Sequence, residues 1–236
     1  MTDVRMPVFL RPLAIPVVDD LLAGSHQLTA EAVALELLVG FVGDRNDPVS
    51  VVRSRYRQVA DEEKDPIVVP QHESLMRHIV RPLLEAKQCY ILRMPVACIA
   101  QAGLVGEMVA LWRFRMLQST IDGKPFSEEL QKLILGREFD KLGQEERVRV
   151  LRGLEESEPE VVAAFGELRA LRRKYLHFMV DKSVDVDADA RRALQYAALL
   201  VVRTLGVTFA DGKLVLPDRV ARYVAEIVRV DAPEAT

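Results

Sequence analysis

Cysteine is nearly missing from this 236-residue chain, which carries only Cys89 and Cys98. Two thiols cannot build a disulfide framework, and these two lack zinc-ligand spacing. Both sit in apolar runs, QCYIL and VACIA, and read as small buried hydrophobes. An excess of one charge is missing too: 32 basic against 35 acidic side chains leave −3. That argues against a protein that coats nucleic acid by bulk electrostatics, while leaving room for a local basic patch. No run approaches the ~18 apolar residues of a membrane span. The opening MTDVRMPVFLRPLAIPVVDD has neither the sustained apolar core nor the small-residue cleavage site of a secretory signal. The expectation is a cytoplasmic protein with no membrane partner. The strings G-x-x-x-x-G-K-[ST], G-x-G-x-x-G and G-x-S-x-G are absent, which speaks against P-loop hydrolysis, Rossmann redox chemistry and a standard serine hydrolase. Metal ligation finds no support either. His72 and His78 are six apart, and no HExxH occurs. Asp185-Val186-Asp187-Ala188-Asp189 starts like a calcium loop, but Ala190 replaces the required glycine and Tyr196 the bidentate carboxylate. Helix capping explains those aspartates better. No cofactor is expected.

What is present is apolar residues, half of the chain, mostly at helical spacing. Residues 1–70 form an N-terminal extension with a helix at 30–42 capped by Thr29, a short helix near 50–59, and an extended IVVP connector. Residues 71–236 form the main body. Leu75, Ile79, Leu83 and Ala86 mark one helix, in which Pro82 either makes a kink or sits in the first turn of a second helix. The helix at about 96–118 is nearly free of charge until Glu107 and must therefore be central. Gly103 and Gly106 cost it about 1 kcal/mol each in propensity, and close approach of a neighbouring helix is the expected return. A turn at 121–125 precedes a short helix capped by Ser127, and another short helix spans about 144–155. Pro159 opens a helix with Val161, Phe165, Leu168, Leu171 and Tyr175 along one side, ending near Val180. Asp185 or Asp187 caps the next, to about Leu205. Asp211-Gly212 between two apolar runs signals a small β-hairpin, and Pro217 starts a last helix. The fold class is all-α, with extra short helices and that one hairpin near the C-terminus.

Within LRALRRKYLH, Arg169, Arg173 and His177 fall four apart and share one helical stripe, with Arg172 beside it. Four cations and a histidine in nine residues suit a phosphate site: guanidinium grips phosphate in a bidentate manner, and imidazole moves protons near neutral pH. A solvated charged face explains the same spacing.

The helical context adds to this. The run LEAKQCYILRMPVACIAQAGLVGEMVALW, then LRALRRKYLHF, then the acid-capped DADARRALQYAALLVV, resembles the HEPN superfamily (higher eukaryotes and prokaryotes nucleotide-binding), most of all its stand-alone bacterial branch. Ala102, Gly103 and Glu107 match its AG-x-x-x-E helix, and Arg172 and His177 match its R-x(4–6)-H motif. The resemblance covers roughly residues 71–205. It implies an up-and-down four-helix bundle that binds RNA or nucleotide, and a metal-independent endoribonuclease of toxin or defence type. In that mechanism the ribose 2′-OH attacks the adjacent phosphate and leaves a 2′,3′-cyclic phosphate. His177 acts as general base or acid, Arg172 stabilises the developing charge, and Glu107 orients one of them. Arg169, Arg173, Lys174, Arg191 and Arg192 track the nucleic acid. The resemblance also implies a homodimer with motifs facing across a two-fold axis. Arg173 stands where RNA-cleaving members often have Asn, Asp or His, a departure that bears on catalysis more than on fold. A non-catalytic interaction or regulatory module that acts on a partner protein is the alternative. In a purely structural reading, Glu107 and Arg172 form a buried ion pair whose loss unfolds the protein.

Overall fold

The computed structural model describes residues 11–12, 47–62, 68–69, 73–118, 127–154, 158–176, 185–206, 208–210 and 213–231. The Thr29-capped helix, the turns at 121–125 and 211–212, the end of the Pro159 helix near Val180, and both His72 and His177 lie outside them.

The described residues are mostly helical. Helix α1 (Pro48–Glu62) begins earlier than the sequence pattern suggests. Asp47 accepts a hydrogen bond from the Ser50 amide at 2.9 Å, and Pro48 follows it with no amide proton to leave unsatisfied. Its Val52 and Val59 join the same apolar core as the rest of the chain. No separate core therefore forms before residue 70 among the described residues. The strand β1 (Arg11–Pro12) pairs antiparallel with β2 (Val68–Val69), so the two described residues of the IVVP stretch are extended as its composition suggests.

Pro82 sits in the first turn of an α-helix, the second of its two expected outcomes, but that helix continues directly from a π-helical turn. A helical turn Glu73–Leu75 runs into a π-helical turn Met76–Val80 and then into α2 (Arg81–Ile91). The Arg81 amide reaches back to Met76. The wider turn comes directly before the proline, where an α-helical ladder would bring its ring against the preceding turn's carbonyl. The α2 helix ends with Arg93 in the left-handed region at φ 57°, and the Met94 amide donates to the Cys89 carbonyl at 2.8 Å. The chain thus reverses in a few residues before α3 (Pro95–Gln118).

Helix α3 is the centre of the molecule. It packs against α2, α6 (Pro159–Leu176) and α7 (Val186–Leu205), and α7 also meets α2 and α6. Cys98, Ile99, Ala102, Val105 and Val109 are all fully buried. By length and composition Pro95–Leu117 is apolar enough to cross a membrane, which amends the sequence-based reading that no stretch comes close. Its apolarity has a direct use in the fold, because three helices cover it. Leu75, Ile79, Leu83 and Ala86 on the α2 side are buried, as are Val161, Phe165, Leu168 and Leu171 of α6. Asp185 caps α7 through the Ala188 amide at 3.0 Å, while Asp187 ion-pairs with Arg55 of α1 at 2.7 Å. Cys98 is buried and its thiol is pushed up to about 12 by that burial, so it is inert packing; Cys89 is only half-buried.

Between α3 and α6 the chain makes an excursion. Helix α4 (Glu128–Leu135) is capped by Ser127 as expected, through the Leu130 amide. A 3₁₀ turn Phe139–Lys141 follows, with Phe139 stacked on Phe114 at 3.7 Å. Helix α5 (Gln144–Leu154) then returns to the body and touches α3 and α6. After α7, the strands β3 (Thr208–Ala210) and β4 (Lys213–Val215) pair antiparallel. Helix α8 (Asp218–Asp231) begins just after Pro217. Trp112 of α3 meets Tyr223 of α8 edge-on at 4.9 Å.

Candidate functional site

Gly103 and Gly106 open a notch in α3. A Cβ on Gly103 would lie 2.7 Å from Cδ of Arg172, and one on Gly106 would lie 3.1 Å from Cδ1 of Leu168. The expected close approach of a neighbouring helix is therefore real, and the neighbour is α6. The aliphatic stem of Arg172 lies in the notch. Its Nη1 meets Oε1 of Glu107, one turn along α3 on the face that carries Gly103. The two side chains are 36% and 25% exposed. This is a pair at the rim of solvent and not the buried one of the structural reading.

A cavity of about 300 Å³ opens beside the pair. Arg169, Arg172 and Arg173 line it against the single carboxylate of Glu107, with Phe165 and Leu168 as an apolar floor. Three guanidinium groups therefore surround a small crevice, two of them paired with carboxylates, Arg172 with Glu107 and Arg169 with Glu145. The excursion closes one wall. The Gln144 side-chain amide donates to the Gly106 carbonyl at 3.3 Å, and Oε2 of Glu145 meets Arg169 at 2.6 Å. Because a carbonyl only accepts, the Gln144 nitrogen must face Gly106. Its Oε1, and Nε of Arg172, are sealed from solvent without a hydrogen-bond partner. Unmade hydrogen bonds of this kind cost about 1–3 kcal/mol each, so the closed wall is poorly satisfied where it meets the notch.

Neither Gln144 nor Glu145 stands out in the sequence. Only the return of α5 onto α3 and α6 brings them to the crevice. The Gly143 amide donates to Glu146 at 2.9 Å, a capping signal that locates the helix start but not its neighbour.

Of the remaining residues read as nucleic-acid contacts, two are committed elsewhere. Lys174 donates to Oδ2 of Asp189 at 2.8 Å, and Arg192 meets Oδ1 of the same carboxylate. The Tyr175 hydroxyl also donates to Asp189. Arg191 is exposed on α7. Asp189 itself is buried. Burial pushes its carboxyl upward, but hydrogen bonds from Lys174, Tyr175 and Arg192 outweigh this and hold it down at about 2. Burial, then the hydrogen bond to Asp189, raises the Tyr175 hydroxyl. Asp189 is thus a clasp between the end of α6 and the start of α7. A carboxyl held below its unfolded value of 3.8 adds stability above about pH 4, and that stability is lost as pH falls toward 2. The difference corresponds to about 2 kcal/mol. The expected result is that Asp189→Asn lowers unfolding free energy by about 2 kcal/mol at neutral pH and removes this part of the acid-induced loss. Urea melts at several pH values between neutral and acid test it. An unchanged acid limb in the variant would show that Asp189 is not the titrating group.

Among the described residues, no group of three or more His, Cys, Asp or Glu side chains is placed to hold a metal ion. No family model, no curated protein and no solved structure matches this chain.

Proposed function

We propose that this protein is an up-and-down four-helix bundle of HEPN type, formed by α2, α3, α6 and α7. It binds the phosphates of RNA or nucleotide in the α3–α6 crevice and cleaves RNA without a metal. The observation that carries this reading is the seating of Arg172 against Gly103 and Glu107, with Arg169 and Arg173 around the same cavity. Those are the residues that the resemblance to the superfamily assigns to one site, and they come from helices about 65 residues apart in sequence.

The chemistry follows from side-chain type. His177, five residues beyond Arg172, takes the proton of the ribose 2′-OH or returns one to the departing 5′-oxygen. The 2′-oxygen attacks phosphorus, the bond to the 5′-oxygen breaks, and a 2′,3′-cyclic phosphate remains. Arg172 neutralises charge on the pentacoordinate phosphate. Glu107 fixes the guanidinium so that little orientational freedom is lost when phosphate arrives.

A second reading, a non-catalytic interaction or regulatory module, is favoured by the pairing of Arg172 with Glu107 and of Arg169 with Glu145. Both cation heads have a carboxylate partner without a ligand. Incubating mixed RNA with the protein and EDTA separates the two. Fragments ending in 2′,3′-cyclic phosphate are expected. Intact RNA that is nevertheless bound would favour the module.

A further inference from the structure

The crevice arginines are held in different ways. Arg172 is seated by the notch: its stem lies against Gly103 and its Nη1 meets Glu107 on the same helix. Arg169 is held from the excursion instead. Its Nη2 meets Oε2 of Glu145 at 2.6 Å, between side chains 41% and 56% exposed. The other oxygen of that carboxylate, Oε1, accepts from Arg149 of its own helix at 3.4 Å. Arg149 lies one turn on from Glu145 and does not line the cavity. Glu145 therefore stands between two arginines, one in the crevice and one outside it. The backbone that carries it is anchored on both sides, because Leu142 just before α5 and Leu151 near its end are buried. Of the two acids in the first turn, Glu146 accepts from the Gly143 amide, which leaves Glu145 to reach across to α6.

We infer that Glu145 is a built-in competitor for the ligand's phosphate, an autoinhibitory contact that occupies Arg169 until phosphate displaces it. The inference rests on the phosphate reading of the crevice. Carboxylate and phosphate present a guanidinium with the same charge sign and the same paired acceptor oxygens, so the two anions compete for one cation. The exchange is a side-chain rotation on a fixed helix. When phosphate takes Arg169, Glu145 keeps Arg149, so its charge is not left without a partner. An exposed ion pair is weak, so the contact attenuates binding and does not lock the site. Apparent affinity is lowered by the fraction of time for which Arg169 is free.

The test is fluorescence anisotropy of a short labelled RNA with 2′-deoxy sugar at every cleavable position, titrated with the full chain at low salt. Glu145→Gln keeps the shape of the side chain and removes its charge. The fold is retained, because the side chain is exposed and Glu146 still caps the turn. About two- to fivefold tighter binding than wild type is expected, and added salt reduces the gain by screening the pair. In an Arg169→Ala background the same substitution leaves affinity unchanged. Binding that needs Arg172 but is equal in wild type and Glu145→Gln would overturn this inference alone. So would a gain that persists without Arg169, which would make Glu145 a source of general repulsion. A probe that neither wild type nor Glu145→Gln binds would end the phosphate reading, and this inference with it.

Discussion

On the proposed function, Arg172→Ala and His177→Ala are each expected to slow RNA cleavage by about 10²–10⁴-fold, with Arg172→Ala leaving the fold in place. The rate effect is what loss of one charge-stabilising group or one proton-transfer group produces. The intact fold follows from exposure. A buried Glu–Arg pair costs several kcal/mol to break, whereas the Glu107–Arg172 pair is partly open to solvent, so Arg172→Ala loses about 1 kcal/mol or less from it. Glu107 keeps contact with water afterwards. Rates of formation of cyclic-phosphate ends, measured beside urea melts of the same preparations, check both halves. A collapse of stability in Arg172→Ala would assign the pair a structural role. Cleavage that persists in both variants would move the chemistry to another site or to a contaminant.

On the proposed function, Gly103→Val is expected to slow cleavage as much as Arg172→Ala, although position 103 carries no chemistry. A Cβ there sits 2.7 Å from Arg172 Cδ and 3.3 Å from its Cβ and Cγ. The arginine stem must leave the notch, and the guanidinium then leaves Glu107. Gly103→Ala does the same in milder form, and its stability cost is small, because replacing a mid-helix glycine returns about 1 kcal/mol of helix propensity. Gly106→Ala is the control. Its Cβ would press on Cδ1 of Leu168, at 3.1 Å, with Leu200 Cδ1 at 3.8 Å and Leu168 Cβ at 3.9 Å in ordinary contact, and the end of a leucine side chain can give by a few tenths of an ångström. Near-normal cleavage is expected for Gly106→Ala and a loss of tenfold or more for Gly103→Ala. Equal activity in the two would disconnect the notch from the site.

The notch is also the part of the site that the sequence made legible. Two glycines in an otherwise apolar, charge-poor helix have a cost that only close packing explains, and α6 supplies that packing. Capping was equally readable, because Ser127 and Asp185 act on amides three residues away and need no tertiary knowledge. Charge was harder to read. In LRRKYL three cations look alike, yet Arg172 and Arg173 line the crevice while Lys174 turns to Asp189. That aspartate, fifteen residues on, looks like one more acid at the start of a helix. Only the packing of α7 against α6 makes it a buried clasp. Gln144 and Glu145 were invisible for the same reason: a residue that reaches a site from an excursion carries no local periodicity to announce it. Pro82 was legible as a first-turn proline, whereas the π-helical turn before it, which no simple pattern encodes, was not.

The most direct measurement is equilibrium binding of a short RNA with 2′-deoxy sugar at every cleavable position, titrated against salt. Phosphate held by the crevice arginines gives measurable binding, and log K falls linearly with log salt. Arg172→Ala then binds more weakly, with the slope reduced by roughly 0.7, the share of one phosphate of a single strand. Arg169→Ala and Arg173→Ala shift it in the same direction. Absence of binding at low salt, or identical slopes in wild type and Arg172→Ala, would contradict the assignment of the crevice to phosphate.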